Sequence, residues 1–179
     1  KKNWEPDLFK WFVFFAKGGQ TFADVGSHIG YFSLLMAHYG QKDNAVHAFE
    51  PNPKNFEHLR RNALINGFNI IANQMAIADK SGVVKMNFPH SFQSGVGRIG
   101  SLSHAQYSMD VKAISLDEYC QNQAISKFDF VKIDIEGGEV DAVVGMQRGL
   151  KQGIYKALMM EMHPTHVSSD QYTQMLKSQ

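Results

Sequence analysis

Asp24-Val25-Gly26-Ser27-His28-Ile29-Gly30 is the stretch on which the reading of this chain turns. Before it runs a short apolar segment, Thr21-Phe22-Ala23-Asp24-Val25. After it, Tyr31, Leu34, Leu35 and His38 recur at i, i+3, i+4 and i+7, with Gly40 as a stop. These are the signatures of a strand and a helix face, so the stretch is predicted to be a strand-to-helix turn. Glycines there let the backbone approach a ligand without a Cβ clash, and helix amide ends favour a carboxylate or phosphate. Glu50 closes the next apolar run, Ala45 to Phe49. A carboxylate at that strand end accepts hydrogen bonds from ribose hydroxyls. The pair describes a pocket for a nucleoside-containing ligand at the carboxyl edge of a sheet; the plainer alternative is a βα turn with a helix-start glycine. A dinucleotide fingerprint would need glycine at 28 and 31, where His28 and Tyr31 stand, so it fails.

Working outward, strands alternate with helices, which predicts an α/β fold with a mostly parallel sheet and helices on both faces. An aromatic segment, Leu8 to Ala16, reads as a buried helix within residues 1–20, closed by Gly18-Gly19. Phe56, Leu59 and Ala63 mark a helix stopped at Asn66-Gly67, and Ile70 to Met75 reads as a third strand. Phe128 to Ile133 is a further strand bounded by Gly137-Gly138, with Val140, Val143 and Val144 opening the helix behind it. Lys156 to Met160 is another strand, and Ser168 to Leu176 a last helix. One region, 83–114, breaks the alternation: Val83 to Phe88 and Val111 to Ile114 read as an antiparallel excursion around a long loop, Pro89 to Asp110.

The chain has 179 residues and no internal repeat, which predicts a single domain. Its net charge of +1, with arginine only at 60, 61, 98 and 148, argues against a nucleic-acid surface. The single cysteine, Cys120, excludes an intramolecular disulfide and reads as a buried thiol. No apolar run approaches the ~20 residues of a membrane span. With no signal peptide in view, a cytoplasmic location is expected. The first residues, Lys1-Lys2-Asn3-Trp4, carry no Met, so the chain reads as a trimmed segment.

Several segments, taken in order, resemble the FkbM-type S-adenosylmethionine-dependent methyltransferases, within the class I (Rossmann-like) fold. They are Phe22 to Ser33, Ala48-Phe49-Glu50-Pro51-Asn52-Pro53, Ala76 to Gly82, Ser115-Leu116-Asp117, Val131-Lys132-Ile133-Asp134-Ile135-Glu136-Gly137 and Glu161-Met162-His163-Pro164. The resemblance runs from about Thr21 to Pro164. It implies S-adenosyl-L-methionine as cofactor. Asp24, Gly26, Ser27, His28 and Gly30 would wrap its methionine end. Glu50, with Pro51 and Asn52, would hold the ribose, and Ala76 and Ile77 would lie near adenine. Two departures stand out. His28 occupies a position where the family carries a small or amide residue, and the chain stops soon after the Glu161 strand, before the last strand pair of a class I sheet. An edge left open there would allow oligomers.

Methyl transfer to a hydroxyl gains from a base that takes its proton. Asp134 and Glu136 alternate at a strand end and are expected to face one side, at the edge where α/β sheets bind ligands. Asp134 is the candidate base or orienter and Glu136 its assistant; Glu139 is the helix-dipole partner. His163, after Glu161 at another strand end, is a third candidate. No metal site is expected, since Pro164 interrupts the Glu161, His163, His166 spacing. His28 reads either as a ligand contact or as a local backbone cap. His38 and His58 read as surface residues and His47 as packed. His90, His104 and Arg98 lie in the long loop, where they could touch substrate.

The function expected is O-methylation of a hydroxyl on a small molecule or glycan. The alternatives are a non-catalytic nucleoside-binding module and an NAD(P)-binding oxidoreductase, the latter disfavoured by the missing fingerprint.

Overall fold

The computed structural model describes residues 6–16, 19–40, 44–88, 98–99, 107–162, 170 and 173. The chain runs α1 (Pro6–Phe15), β1 (Thr21–Val25), α2 (Tyr31–Tyr39), β2 (Ala45–Phe49), α3 (Pro53–Ile65) and β3 (Ile70–Asn73). It continues through β4 (Ala76–Ile77), β5 (Gly82–Phe88), β6 (Arg98–Ile99), β7 (Tyr107–Ile114), α4 (Leu116–Asn122) and β8 (Phe130–Ile133). It closes with α5 (Glu139–Val144), α6 (Gln147–Lys151) and β9 (Leu158–Met160).

Local chemistry starts several of these elements. Asn52 caps α3 by accepting the Lys54 N–H at 2.9 Å, with Pro53 set for the first helical position. Ser115 caps α4 by accepting the Glu118 N–H at 3.2 Å. Gly30, in the left-handed region at φ 91°, opens α2.

Five parallel strands make one sheet in the order β3-β2-β1-β8-β9. Their register decides where function can sit. Val25 pairs with Phe49 and with Ile133, and Ile133 pairs with Met160. Four strands therefore end level, and the residues that follow them, Gly26, Glu50, Asp134 and Glu161, stand side by side on one edge.

Helices cover both faces. On one, Phe22, Val46 and Phe130 pack under α1 and α2, where Phe12 stacks on Phe32 with centroids 4.2 Å apart and Phe15 on Phe130 at 4.5 Å. On the other, Ala23, Val25, Val131 and Ile133 pack against Leu116, Tyr119, Ala142 and Met146. His47 is buried there, its Nδ1 2.8 Å from the Tyr119 hydroxyl.

Four readings need correction. The third strand does not reach Met75: β3 ends at Asn73, and Ala76–Ile77 pairs instead with β7 in a second sheet, ordered β4-β7-β5-β6. The loop of the excursion is shorter than expected, because β7 begins at Tyr107 and pairs antiparallel with β5 from Phe88↔Tyr107 to Gly82↔Ala113. The period-two pattern of Met109, Val111 and Ala113, inward-facing between exposed Asp110 and Lys112, is the physical reason. Arg98–Ile99 adds a short strand against Met86 and Asn87. Finally, α2 buries Phe32, Ser33 and Met36, while Tyr31 and His38 are exposed. The predicted stripe was rotated because Ser33, a polar residue, is the one drawn inward. Helices α4 and α6 were not anticipated. The final helix expected from Ser168 lies mostly outside the described residues, as do His90, His104 and the side chain of Arg98. Among the described residues no strand follows β9.

Candidate active site

A cleft of about 640 Å³ opens along the carboxyl edge of the parallel sheet, a size proper to a small-molecule ligand. Its floor is the turn after β1. Gly26 sits at φ 78°, and a Cβ built there would stand 1.9 Å from the backbone oxygen of Asp134. Only glycine lets the ends of β1 and β8 close up in this way. Gly30 lies behind the turn, where a Cβ would meet Leu59 at 2.5 Å; it shapes the turn and is not part of the cleft wall. Ser27 donates to the Phe49 carbonyl at 3.2 Å. His28 is a non-glycine residue at φ 51°. Its ring lines the cleft, and partial burial together with the Lys132 ammonium pushes the imidazole below its ordinary range.

Glu50 is buried, yet both its oxygens are held by main-chain donors. Oε2 accepts the His28 N–H at 2.8 Å and Oε1 the Asn52 N–H at 2.9 Å. Burial outweighs these bonds and pushes its carboxyl up to about 7. Two carboxylate oxygens offer about four lone-pair directions, more than the two main-chain donors and the Asn55 side chain use, so the group remains able to accept a hydroxyl from a ligand. Pro51, Asn52, Met75, Ala76 and Ile77 continue the wall, and Met86 reaches it from β5 in the second sheet.

Asp24 is fully buried and does not line the cleft. Its Oδ2 accepts from the Ser33 hydroxyl at 2.6 Å, and its Oδ1 faces the Lys132 ammonium at 3.4 Å. Asp134 lies just past the end of β8, in the wall, with Oδ2 3.2 Å from the same ammonium. Glu136 also lines the cleft, but the strand has ended and the residue sits at φ 54°, so strand alternation does not place it. Glu139 is buried and accepts the Gly137 N–H at 2.9 Å. His163 lies outside the described residues. Among the described residues no group of His, Cys, Asp and Glu is arranged to hold a metal.

Lys132 was not singled out from the sequence. It is 6% exposed, donates to the Gly26 carbonyl at 3.1 Å and lies 5.3 Å from the Phe32 ring centroid. Burial pulls its ammonium down in pKa, but Asp24 and Asp134 outweigh that and hold it above its ordinary range. One signal was available: a lone charge within an otherwise apolar strand, Phe130-Val131-Lys132-Ile133.

The parallel sheet, the glycine turn and the acid at the end of β2 define a class I methyltransferase fold. A chain described as methyltransferase FkbM from Methylobacillus flagellatus KT superimposes with a TM-score of 0.62 at 18% identity, covering 91% of this chain and 38% of that one. A putative rRNA-methylase from Clostridium thermocellum superimposes at 0.58 and 9% identity, over 99% of this chain and 80% of that one. Residues 24–179 match the methyltransferase FkbM domain, and the chain belongs to that family. Among curated relatives, hexuronic acid methyltransferase AglP of Haloferax volcanii is 29% identical over 147 residues, 82% of this chain and 58% of that protein. The 31-O-demethyl-FK506 methyltransferase FkbM of Streptomyces tacrolimicus is 41% identical over 70 residues, 39% of this chain and 26% of that protein. The chain thus spans little more than half the length of the first relative and about a quarter of the second.

Proposed function

We propose that the chain transfers a methyl group from S-adenosylmethionine to a hydroxyl oxygen of a glycan or small molecule. The observation that carries this is the single edge on which the Gly26 turn, the Glu50 carboxylate and Asp134 meet around one cleft. The backbone between Gly26 and Ile29 would take the amino-acid end of the cofactor, and Glu50 would accept from its ribose. Met75, Ile77 and Met86 offer apolar walls for a flat base. When bound, the cofactor supplies a methyl carbon activated by its sulfonium.

The chain's own part is positioning, exclusion of water and proton handling. Asp134 stands at the wall with one oxygen on Lys132, leaving the other for the proton of an acceptor hydroxyl. Glu136, in the same wall, would orient that acceptor. The relative named for hexuronic acid supports a sugar-derived acceptor, and the net charge of +1 supports a small acceptor over a nucleic acid.

Calorimetric titration with S-adenosylhomocysteine tests the cofactor. Saturable one-to-one binding is expected; no heat of binding by the folded chain would overturn the proposal. A non-catalytic module would bind the same ligand but transfer no labelled methyl group to any member of a panel of glycosides, uronic acids and alcohols.

A further inference from the structure

The most unusual group near the cleft is the buried ammonium of Lys132. It lies 3.4 Å from Asp24 and 3.2 Å from Asp134, and donates to Gly26 at 3.1 Å. It therefore touches the buried acid beneath the turn, the turn itself and the candidate base, all at once. It is also in the wall of a smaller cavity of about 220 Å³ beside the main cleft, lined by Phe12, Phe32, Met159, Met160, Asp134 and Glu161. Asp134 and Glu161 border both spaces. Lys132 thus stands where the cofactor's reacting end and an acceptor would meet.

We propose that Lys132 is a positioning residue that sets how strongly the cleft distinguishes the cationic sulfonium cofactor from its neutral thioether product. This rests on the cofactor reading above. Methyl transfer removes one positive charge from sulfur, so any field at that point acts differently on cofactor and product. Without Lys132, Asp24 and Asp134 would leave two negative charges near the turn, and Glu136 and Glu161 would add to them. Such a field would hold the sulfonium hard. With Lys132, Asp134 is paired through Oδ2 in the cleft wall. The field at the sulfur is weakened, and the acid stays oriented for the acceptor proton. The ammonium lines the cleft while Asp24 does not, so Lys132 is the nearer charge and dominates.

The test is the ratio of two affinities, because a loosened turn lowers both while a changed field moves one against the other. S-adenosylmethionine and S-adenosylhomocysteine are titrated calorimetrically into the wild-type chain, Lys132→Met and Lys132→Arg. In Lys132→Met the ratio is expected to shift toward the sulfonium by at least about tenfold, the effect of one unit charge as far as about 12 Å away at an effective dielectric of about 20. Lys132→Arg keeps the charge and should return the ratio to within about twofold of wild type. Lys132→Met leaves Asp24 buried without its ammonium; if that variant fails to fold, Asp24→Asn with Lys132→Met, which removes both charges, takes its place. There the shift is expected in the same direction and smaller, about threefold, since the nearer charge has gone with the farther one. An unchanged ratio in a folded variant that binds both ligands overturns this inference alone. A wild-type chain that binds neither ligand removes the cofactor reading and this inference with it.

Discussion

The backbone N–H of His28 donates to Oε2 of Glu50 at 2.8 Å, which ties the turn after β1 to the end of β2. With the Asn52 N–H on Oε1 at 2.9 Å, the carboxylate becomes the clasp between two strands as well as the candidate ribose acceptor. Glu50→Ala removes an acceptor from two buried main-chain donors. S-adenosylhomocysteine affinity is expected to fall at least about tenfold, the cost of losing hydrogen bonds to a charged group. Calorimetry on wild type and variant at one pH checks this; an affinity within twofold of wild type contradicts it.

Burial pushes Glu50 up to about 7 from an ordinary 4.5, so its charge changes across neutral pH. Hydroxyls donate to the ionised form, so S-adenosylhomocysteine affinity should rise with pH up to about 7 and level off above it. Each pH unit well below 7 should cost up to about tenfold. For stability the sign is opposite. Between 4.5 and 7 the folded chain holds a proton that the unfolded chain has released, so this contribution is lost as pH rises. His47 is held down to about 4 by burial, against an ordinary 6.5, and its contribution is lost as pH falls through that window. The two trends oppose each other, and ligand affinity rather than melting temperature is the clean readout. Affinity that is flat from pH 6 to 8 would exclude the role given to Glu50.

Two glycines with similar backbone angles separate strain from contact. Gly67 has φ 67° with nothing within 4 Å of an added Cβ, so Gly67→Ala should cost about 1–2 kcal/mol. Gly26 has φ 78° and an added Cβ 1.9 Å from the Asp134 oxygen. Gly26→Ala should cost at least about 2 kcal/mol more, because strand β1 or β8 must shift. Urea unfolding of both variants decides; equal costs would mean the close approach carries no energy.

Tyr119→Phe removes the hydroxyl that stands 2.8 Å from His47 Nδ1. A buried ring nitrogen left without a partner should cost about 1–3 kcal/mol in urea unfolding. S-adenosylhomocysteine affinity should stay within about threefold, since neither side chain lines the cleft. A large loss of affinity without a loss of stability would reassign Tyr119 to the site.

Phe12 lies outside the matched residues 24–179, yet it is fully buried and stacked on Phe32. Phe12→Ala should cost about 3–5 kcal/mol. A loss below 1 kcal/mol would show α1 to be an appendage.

Much of the site was legible before any coordinates. The Gly26 to Gly30 turn and Glu50 at its strand end are local signals, written within a few residues by backbone sterics and hydrophobic period; the Asn52 cap with Pro53 was equally local but went unread. Asp134 followed from its place at the end of an apolar run. Glu136 lines the cleft for a different reason from the one expected, since its left-handed backbone replaces strand alternation. The cap at Ser115 was equally local, with Glu118 three residues on, but went unread, and α4 with it.

What the sequence by itself determined is the alternation of strands and helices through β3 and again from β8 to α5, the glycine turn and the acid after β2. These rest on period, propensity and local hydrogen bonding, which act over one or two turns of chain. Only the tertiary structure decided that Asp24 turns away from the cleft, that Met86 arrives from a second sheet, and that Lys132 joins the turn to Asp134. The bond from Lys132 to Gly26 spans 106 residues. It exists because β1 and β8 pair in register with Val25 beside Ile133. Pairing across such a distance is set by how both sheet faces bury their apolar side chains together, and no local pattern carries it.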